Sequence, residues 1–382
     1  MKEPKLRFKA DDGSDFPDWE EKKLGDMFSI SAGGDIDKNN SSKEKSCSYP
    51  YPVYANALMN DGLYGYANYF KVDGDTFTVT GRGDVGYAVA RHCKYVPIVR
   101  LLVCRPKEND NVDFFAEQVN CARIFIESTG VPQLTAPQLA VIKLLRPSLP
   151  EQQKIADFLS TIDTIIEKQQ ATVSAWEERK KGVMQKLFSQ EVRFKADDGS
   201  DFPDWEEKRL GDMVEFINGR AYKQDELLAS GKYIVLRVGN LFTNDSYYYS
   251  DLELDEDKYI EDGNLIYAWS ATFGPKIYHG DKCIYHYHIW KLKFDENAIS
   301  KMFLNYYLQH DVEKIKSKRT GGTMVHITKN AMEHRELEFP SLSEQQKIAD
   351  CLSALDTVIQ KQKETLEKWQ ELKKGLLQQM FV

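Results

Sequence analysis

The sequence predicts an α+β fold in which two β-rich domains are separated and joined by two long antiparallel coiled-coil helices, in a cyclic pseudo-two-fold repeat. Three observations predict this fold. A 39-residue segment with helical periodicity occurs twice, a 22-residue segment occurs twice, and each copy of the shorter segment precedes a body rich in short β-type runs. Internal repetition constrains the architecture more strongly than any local pattern does.

The longer repeat comprises residues 151–189 and 344–382, which agree at 22 of 39 positions without a gap. Apolar residues recur in alternating steps of four and three, which is typical of a coiled-coil seam. Polar residues interrupt the seam at matching places, namely Gln169, Lys180, Gln362 and Lys373. They are expected to fix the register of the paired helices, or to face solvent if the helices pair only partly. Two unrelated amphipathic helices on separate cores would not share these interruptions.

The shorter repeat comprises residues 6–27 and 192–213, which are identical at 20 of 22 positions. Its Asp-Asp-Gly-Ser-Asp sequence consists of residue types that favour turns. We therefore expect Trp19 and Trp205 to anchor the entry of the domain that follows each copy. Near-identity over this length exceeds what packing requires, and it suggests a recent duplication or a recombination site in the coding DNA.

The two bodies cover residues 28–148 and 214–341. Strand-like runs with turn residues between them are predicted at 76–80, 87–90 and 98–103 in the first body, and at 233–238, 264–269 and 283–294 in the second. The predicted domains are 1–148 with its junction 6–27, the helix 149–190, 191–341 with its junction 192–213, and the helix 342–382.

Composition narrows the class of protein. The net charge is −8, and most of the acidic excess lies in the two junctions rather than in the bodies. No apolar run has the length that a membrane span needs, and the first residues lack the apolar region of a signal peptide. Six cysteines are scattered without a CxxC pair, which favours reduced thiols and a cytoplasmic location.

The sequence contains no GxSxG elbow, no HExxH and no Walker motif. His286 and His288 would lie on one face of a strand, but no third ligand stands near them, so we expect no metal site. The prediction is a non-catalytic recognition or scaffold protein that binds no cofactor of its own.

The chain resembles the specificity subunit of type I restriction–modification systems over nearly its whole length. The helix openings at 147–156 and 340–349 are the most specific match, and the entry at 16–26 is similar to the family's domain start. In the first body, residues 82–86 look like the family's RG-x-x-G loop. In the second body, 267–274, 285–290 and 322–328 resemble stretches of its target-recognition domains, although 269–274 lacks the Arg-Gly pair.

The resemblance implies a division of labour among subunits. Each target-recognition domain would read one half of an interrupted, asymmetric site in double-stranded DNA. The paired helices would set the gap and carry two modification (methyltransferase) subunits, so a four-residue insertion after Gln169 should change the spacer. Those partners would bind S-adenosylmethionine, and two restriction (motor-nuclease) subunits would use ATP and Mg²⁺.

Candidate DNA-binding residues are cations and hydrogen-bonding side chains expected on loops. Phosphate contacts are expected from a basic segment that ends in a Gly-Gly turn, and base contacts from side chains that match guanine or adenine edges. The candidates are Arg82, Arg91, Arg220, Lys223, Arg237, Asn240, Lys314, Lys316, Lys318, Arg319 and His326.

Two other classes of function remain open from the sequence. A coiled-coil adaptor or scaffold with two β-rich protein-binding domains predicts no sequence-selective DNA binding in any complex. A fused nuclease or methyltransferase with an unrecognised site predicts DNA cleavage or methyl transfer by the isolated chain.

Overall fold

The protein is described here from a computed structural model, over residues 4–122, 124, 133–242, 244–270, 273–317 and 327–381. Contacts divide the chain into two compact units. The first unit contains Met1–Gln170 and Glu364–Val382, and the second contains Ala171–Lys363. Each unit therefore combines one globular body with portions of both long helices.

The first unit contains small antiparallel sheets and short helices. Its strands are β1 Glu20–Lys23, β2 Phe28–Ala32, β3 Ser41–Ser42, β4 Tyr51–Tyr54, β5 Leu63–Ala67, β6 Thr76–Val79, β7 Ala88–Arg91, β8 Val96–Pro97, β9 Leu102–Pro106 and β10 Lys143–Arg146. Its short helices are α1 Leu24–Met27, α2 Val112–Cys121 and α3 Ala136–Ala140, with 3₁₀ turns at Lys38–Asn40 and Met59–Gly62. The long helix α4 Leu149–Phe188 begins in this unit and ends in the second.

Two four-stranded sheets form the first body. One has the order β2-β9-β6-β7, and the other has the order β3-β5-β4-β8, in which β4 and β8 run parallel. The strands β1 and β10 pair separately next to the start of α4. Phe28, Phe77 and Phe115 pack edge to face in the core, and Ile155 of α4 and Met380 join the same core.

The second unit repeats this order. Its strands are β11 Glu206–Arg209, β12 Glu215–Asn218, β13 Tyr233–Leu236, β14 Tyr248–Ser250, β15 Tyr259–Ile260, β16 Leu265–Ala268, β17 Gly274–Ile277, β18 Cys283–Tyr285, β19 Ile289–Lys293 and β20 Glu336–Phe339. Its other helices are α5 Leu210–Met213, α6 Val238–Phe242, α7 Lys301–Ser317 and α8 Lys329–Glu333, with 3₁₀ turns at Gln224–Glu226 and Glu256–Lys258. The long helix α9 Leu342–Phe381 begins in this unit and ends in the first.

Strand pairing shows that the two bodies share one topology apart from one edge strand, because β3 lies beside β5 in the first body and β15 lies beside β18 in the second. The sheets of the second body are β12-β19-β16-β17 and β14-β13-β18-β15, with β13 and β18 parallel, and β11 pairs with β20. The hydrogen bond from Ile98 N to Tyr54 O is 2.9 Å, and its counterpart from His286 N to Leu236 O is also 2.9 Å. Loops that join equivalent strands can therefore be compared directly.

The long helices are antiparallel within each unit. In the first unit, Met380 near the end of α9 packs in the same core as Ile155 near the start of α4. In the second unit, Leu187 near the end of α4 packs in the same core as Ile348 near the start of α9. The predicted α+β class with two β-rich domains and two long antiparallel helices is confirmed.

Each junction is tied to the start of a long helix. The Glu151 carboxylate is fully buried and accepts hydrogen bonds from Arg7 at 2.8 and 3.0 Å and from Trp19 Nε1 at 3.0 Å. Glu344 accepts the equivalent bonds from Arg193 and Trp205. These contacts give the two tryptophans the anchoring role that the sequence predicts.

Two of the predicted strands are each interrupted by a turn in the structure, so both predictions are wrong. The run 98–103 is broken by a turn after β8, and the run 283–294 is broken by a turn after β18. Val99 and Tyr287 in these turns are strand-forming residue types, and neither turn contains Gly or Pro, so the residue pattern predicts one strand where the backbone forms two. These two turns occupy equivalent places in the bodies.

Candidate DNA-binding interface

Three connections of the first body meet at one edge of its sheets. They are the β4–β5 loop (55–62), the β6–β7 loop (80–87) and the β8–β9 turn (98–101), and together we name them the first loop edge. Asn56 joins the three connections, because its Nδ2 donates to Val99 O at 2.6 Å and its Oδ1 accepts from Gly81 N at 2.7 Å. One side chain thus holds the three backbones in contact.

The β8–β9 turn has an unusual backbone. Val99 and Arg100 adopt φ values of 51° and 61°, a left-handed conformation that a β-branched residue rarely takes. Their amides donate to Gly34 O and Gly33 O, each at 3.0 Å, which holds the turn in place. Strained residues that the surroundings maintain tend to lie at functional sites. Both side chains are exposed.

Sequence reasoning missed Arg100, because it lies inside the run predicted as one strand. No local sequence pattern marks this residue. Arg100 becomes a candidate only in the folded chain, where the turn exposes it beside Arg82. Arg82 lies in the β6–β7 loop, is exposed, and donates to Gln133 Oε1 at 3.3 Å. The first loop edge therefore presents two arginines to solvent.

Arg91 has a different environment from the other candidates. It is buried, its guanidinium lies 3.7 Å from the centroid of the Tyr54 ring, and it donates to Thr78 Oγ1 at 3.1 Å and to Asp61 O at 2.5 Å. Through these contacts, Arg91 holds the β4–β5 loop in place. We therefore leave Arg91 out of the proposed DNA contacts.

The second body brings the equivalent connections together. They are the β13–β14 loop (237–247), the start of the β16–β17 connection at Trp269 and the β18–β19 turn (286–288), with residues 219–223 beside them; we name these the second loop edge. Trp269 donates from its backbone to His288 O at 3.1 Å and from Nε1 to Tyr287 O at 2.8 Å.

The candidates on the second loop edge differ in what they contact. Arg220 is half-buried, donates to Glu226 Oε1 at 2.6 Å, and has a buried Nη1 without a hydrogen-bond partner among the described residues. Lys223 is exposed. Arg237 is exposed, and its guanidinium lies 5.3 Å from the centroid of the Tyr248 ring.

Asn240 is engaged within its own loop. Its Oδ1 accepts from Arg237 N at 3.1 Å, and its Nδ2 donates to Asn244 O at 3.2 Å and to Ser246 O at 2.8 Å. Both ends of the amide are thus used to shape the β13–β14 loop. We accordingly assign Asn240 to loop structure and leave it out of the proposed base contacts.

The histidines of the β18–β19 turn pack against each other. The rings of His286 and His288 lie 4.8 Å apart. Burial, with the charges of His288 and Arg237 adding to it, lowers the pKa of His286 to about 4, so this ring is neutral near pH 7. Among the described residues, no group of three or more His, Cys, Asp or Glu side chains is placed to hold a metal ion.

The basic segment at the end of α7 is only partly described. Lys314 and Lys316 lie within the helix rather than in the loop that the sequence suggests, and Lys314 is exposed. The helix α7 extends through both lysines because it contains neither proline nor glycine. Lys318, Arg319 and His326 lie outside the described residues.

The polar seam residues lie on the long helices. In the first unit, Lys373 Nζ lies 2.8 Å from Asp163 Oδ1 and 2.8 Å from Glu117 Oε1. In the second unit, Lys180 Nζ lies 2.6 Å from Asp356 Oδ1. Gln169 and Gln362 are half-buried on the same helices. Both lysines thus join one long helix to the other.

Comparison with known proteins identifies the family. Residues 17–174 and 203–368 match the family described as "Type I restriction modification DNA specificity domain", so the match covers most of the chain in two copies. The chain belongs to this family of type I restriction–modification specificity proteins. Membership confirms the resemblance and agrees with the predicted fold class.

Individual relatives agree with this assignment. The MjaVIII specificity subunit of Methanocaldococcus jannaschii is 28% identical over 63% of this chain and 62% of that protein. The putative MjaX specificity subunit of the same organism is 25% identical over 94% of this chain and 93% of that protein. The crystal structure of an S subunit from M. genitalium shares the fold, with a TM-score of 0.60 and 16% identity over 100% of this chain and 99% of that one.

Within the described ranges, no helix combines the length and the apolar character that crossing a bilayer requires.

Proposed function

We propose that this chain is the DNA-recognition subunit of a type I restriction–modification complex and that each body reads one half of a bipartite target in double-stranded DNA. The observation that carries the proposal is the pair of equivalent loop edges on one shared topology. Loops on a rigid scaffold are where recognition residues concentrate. Each body has such an edge, and exposed arginine is the side chain best suited to guanine.

The two loop edges carry different side chains, and this supports a non-palindromic target. The first presents Arg82 and Arg100, whereas the second presents Lys223, Arg237 and the histidine turn. Two identical edges would read two identical half-sites. Different donor and acceptor sets at equivalent places should instead select different base pairs.

Phosphate contacts are proposed for the basic end of α7 and the segment after it, at Lys314, Lys316, Lys318 and Arg319. Contacts of this kind position a protein on the duplex without reading its sequence. Arg220 and His326 complete the proposed contacts of the second body. Backbone contacts of this kind also make binding sensitive to salt.

The two long helices are proposed to set the spacer between half-sites and to carry two modification subunits. Those subunits would bind S-adenosylmethionine and methylate adenine. Two restriction subunits using ATP and Mg²⁺ would join them for cleavage, and the complex would act on DNA in the cytoplasm. Lengthening the helices by four residues after Gln169 should then change the spacer and leave both half-sites as they are.

Exchange of one body tests the proposal. Residues 28–148 are replaced by the corresponding body of another family member with a different target, and the chain is expressed with its modification subunit. N6-methyladenine mapping should show a new first half-site, an unchanged second half-site and an unchanged spacer. A change in both halves, or in neither, would contradict the assignment of one half-site to each body.

A further inference from the structure

Exposed apolar side chains occupy the same loop in both bodies. We propose that Leu58 and Met59 in the first body, and Phe242 and Tyr247 in the second, are wedges that insert between stacked base pairs of the target. This inference rests on the proposed function, because it concerns how the same loop edges engage DNA. It adds a mode of contact that hydrogen bonding by the arginines does not provide.

The topology places the two sets of side chains at equivalent positions. The β4–β5 loop follows a strand that runs parallel to β8, and the β13–β14 loop follows a strand that runs parallel to β18. Both loops then lead into an antiparallel partner strand. The two bodies differ in sequence here, yet each places large apolar residues in this one connection.

Their exposure is unusual for apolar residues. Met59 is 82% exposed and Leu58 is 46% exposed, whereas Phe242 and Tyr247 are 39% and 38% exposed. Clusters of exposed apolar side chains that are rimmed by polar groups usually mark a binding surface.

The first loop is held in its shape by contacts behind the wedge. Asn60 and Asp61 have φ values of 49° and 51°. The Asp61 carboxylate accepts from Tyr87 Oη at 2.9 Å, and its carbonyl accepts from the buried Arg91. Gly62 has a φ of 79°, and a Cβ there would lie 2.4 Å from Ala55 O. The loop is therefore preorganised to project Leu58 and Met59, which lowers the cost of ordering it on binding.

Different residues support the second loop, and they also hold it in a fixed shape. Lys276 Nζ donates to Leu241 O at 2.6 Å and lies 5.7 Å from the centroid of the Phe242 ring. The Asn240 amide holds the far side of the loop through Asn244 and Ser246. The role of Asn240 in loop structure thus becomes support for the wedge.

Charge favours DNA as the occupant. Arg82 and Arg100 directly follow Gly81 and Val99, to which Asn56 is hydrogen-bonded in the first body. In the second loop, Lys276 lies beside Phe242, and Arg237 lies beside Tyr248, the residue after Tyr247. Exposed apolar side chains next to cations suit this position, because the apolar groups can enter a base step while the cations contact the phosphate backbones beside it. DNA-binding proteins insert Leu, Met and Phe between base pairs in this way, and aromatic rings stack on bases.

The test uses the complete complex with its modification subunits and a duplex that carries the mapped target. 2-Aminopurine replaces one base at a time along both half-sites, because its fluorescence rises when the base is unstacked. The variants are L58S/M59S for the first body and F242S/Y247S for the second. Val141→Ser, at an exposed apolar residue at the end of α3, is the matched control, and Met59→Leu is the conservative variant.

We expect one base step in each half-site at which 2-aminopurine fluorescence is raised, which we call a bright step. The bright step of a half-site should be lost only in the double variant of the body that reads it. Met59→Leu and Val141→Ser should keep both steps, and each double variant should bind about tenfold more weakly. A duplex already unstacked by a mismatch at that step should bind the wild-type complex more tightly, with no such gain for the variant.

Three other results would overturn the wedge. Target binding without a bright step in the wild-type complex would show that no base pair is opened. Bright steps that persist in both double variants would belong to the modification subunit. Loss of assembly in the double variants would make these residues a protein-docking surface. Failure of the wild-type complex to prefer its target at all would instead refute the proposed function.

Discussion

Lys373 on α9 forms an ion pair with Asp163 on α4, with 2.8 Å between Nζ and Oδ1. The same ammonium lies 2.8 Å from Glu117 of α2, so it joins both long helices to the first body. In the second unit, Lys180 pairs with Asp356 and lies 4.8 Å from the ring of Tyr306 on α7. A lysine in each unit thus sets where the two long helices meet.

Replacing Lys373 with Met should destabilise the first unit by about 2 kcal/mol, because two partly buried carboxylates are left without their cation. Lys374→Met, at the exposed neighbouring residue, is the matched control and should be close to neutral. Chemical unfolding monitored by circular dichroism measures both. Equal effects of the two substitutions would contradict a special role for Lys373.

The Lys373 pair also has a defined pH dependence. Burial alone would lower the pKa of Lys373, but Glu117 and Asp163 raise it above its ordinary value. The stability that the pair contributes is therefore complete below the unfolded pKa near ~10.4 and is lost as pH rises through the higher folded value. Above neutral pH, the difference between wild type and Lys373→Met should therefore shrink in that alkaline range.

Arg7 is predicted to be essential for the first junction. Among the described residues, Arg7→Met leaves the fully buried Glu151 with the Trp19 indole as its remaining side-chain donor, and it should cost about 3 kcal/mol of the free energy of unfolding. Lys9→Met removes an exposed pair with Asp15 from the same junction and should cost less than about 1 kcal/mol. Similar losses in the two variants would refute the anchoring role of Arg7.

Much of the fold could be predicted because repetition and heptad spacing are strong signals. The predicted helices 149–190 and 342–382 match α4 and α9 within two residues at each end. The turns at Val99 and at Tyr287 could not be predicted, since both residues are strand-forming types and neither turn contains Gly or Pro. Those turns form the loop edges, so the sequence reveals the scaffold more readily than the interface.

The candidate site was predicted only in part, for a related reason. Residue type identified Arg82 and Arg237, which are exposed, but it could not separate them from Arg91, which is buried beneath a loop. Leu58 and Met59 carry no polar signal at all. Their exposure follows from how the surrounding loops pack, which a local residue pattern does not contain.

His310 should make the second unit sensitive to acid. Its ring is buried against Phe188, and burial together with the charge of Lys314 lowers its pKa to about 4, although Glu313 opposes this. A lowered histidine pKa means that stability is present above the unfolded pKa near ~6.5 and is lost as pH falls towards the folded value.

Replacing His310 with Phe removes this titration while keeping an aromatic ring beside Phe188. Between pH 7.5 and pH 5, wild type should lose about 2 kcal/mol more stability than the variant. Urea unfolding at the two pH values gives the difference, and His279→Phe, at an exposed histidine, is the substitution control. An identical pH dependence in wild type and His310→Phe would exclude His310 as the source.

Arg82 should contribute to the choice of the first half-site. Arg82→Ala is expected to relax discrimination at one base pair by about 1–3 kcal/mol and to leave the second half-site unchanged. Arg105→Ala, at an exposed cation on β9, is the control. Methylation of a library with randomised half-sites measures both variants, and an equally stringent first half-site in Arg82→Ala would remove Arg82 from the base contacts.

Genome-wide N6-methyladenine mapping tests the central claim most directly. Cells that express the modification subunit are compared with and without this chain. The account predicts an interrupted, asymmetric motif that is methylated only when the chain is present. A methylated motif that does not depend on the chain, or no motif although the modification subunit is expressed and active, would contradict its role in DNA recognition.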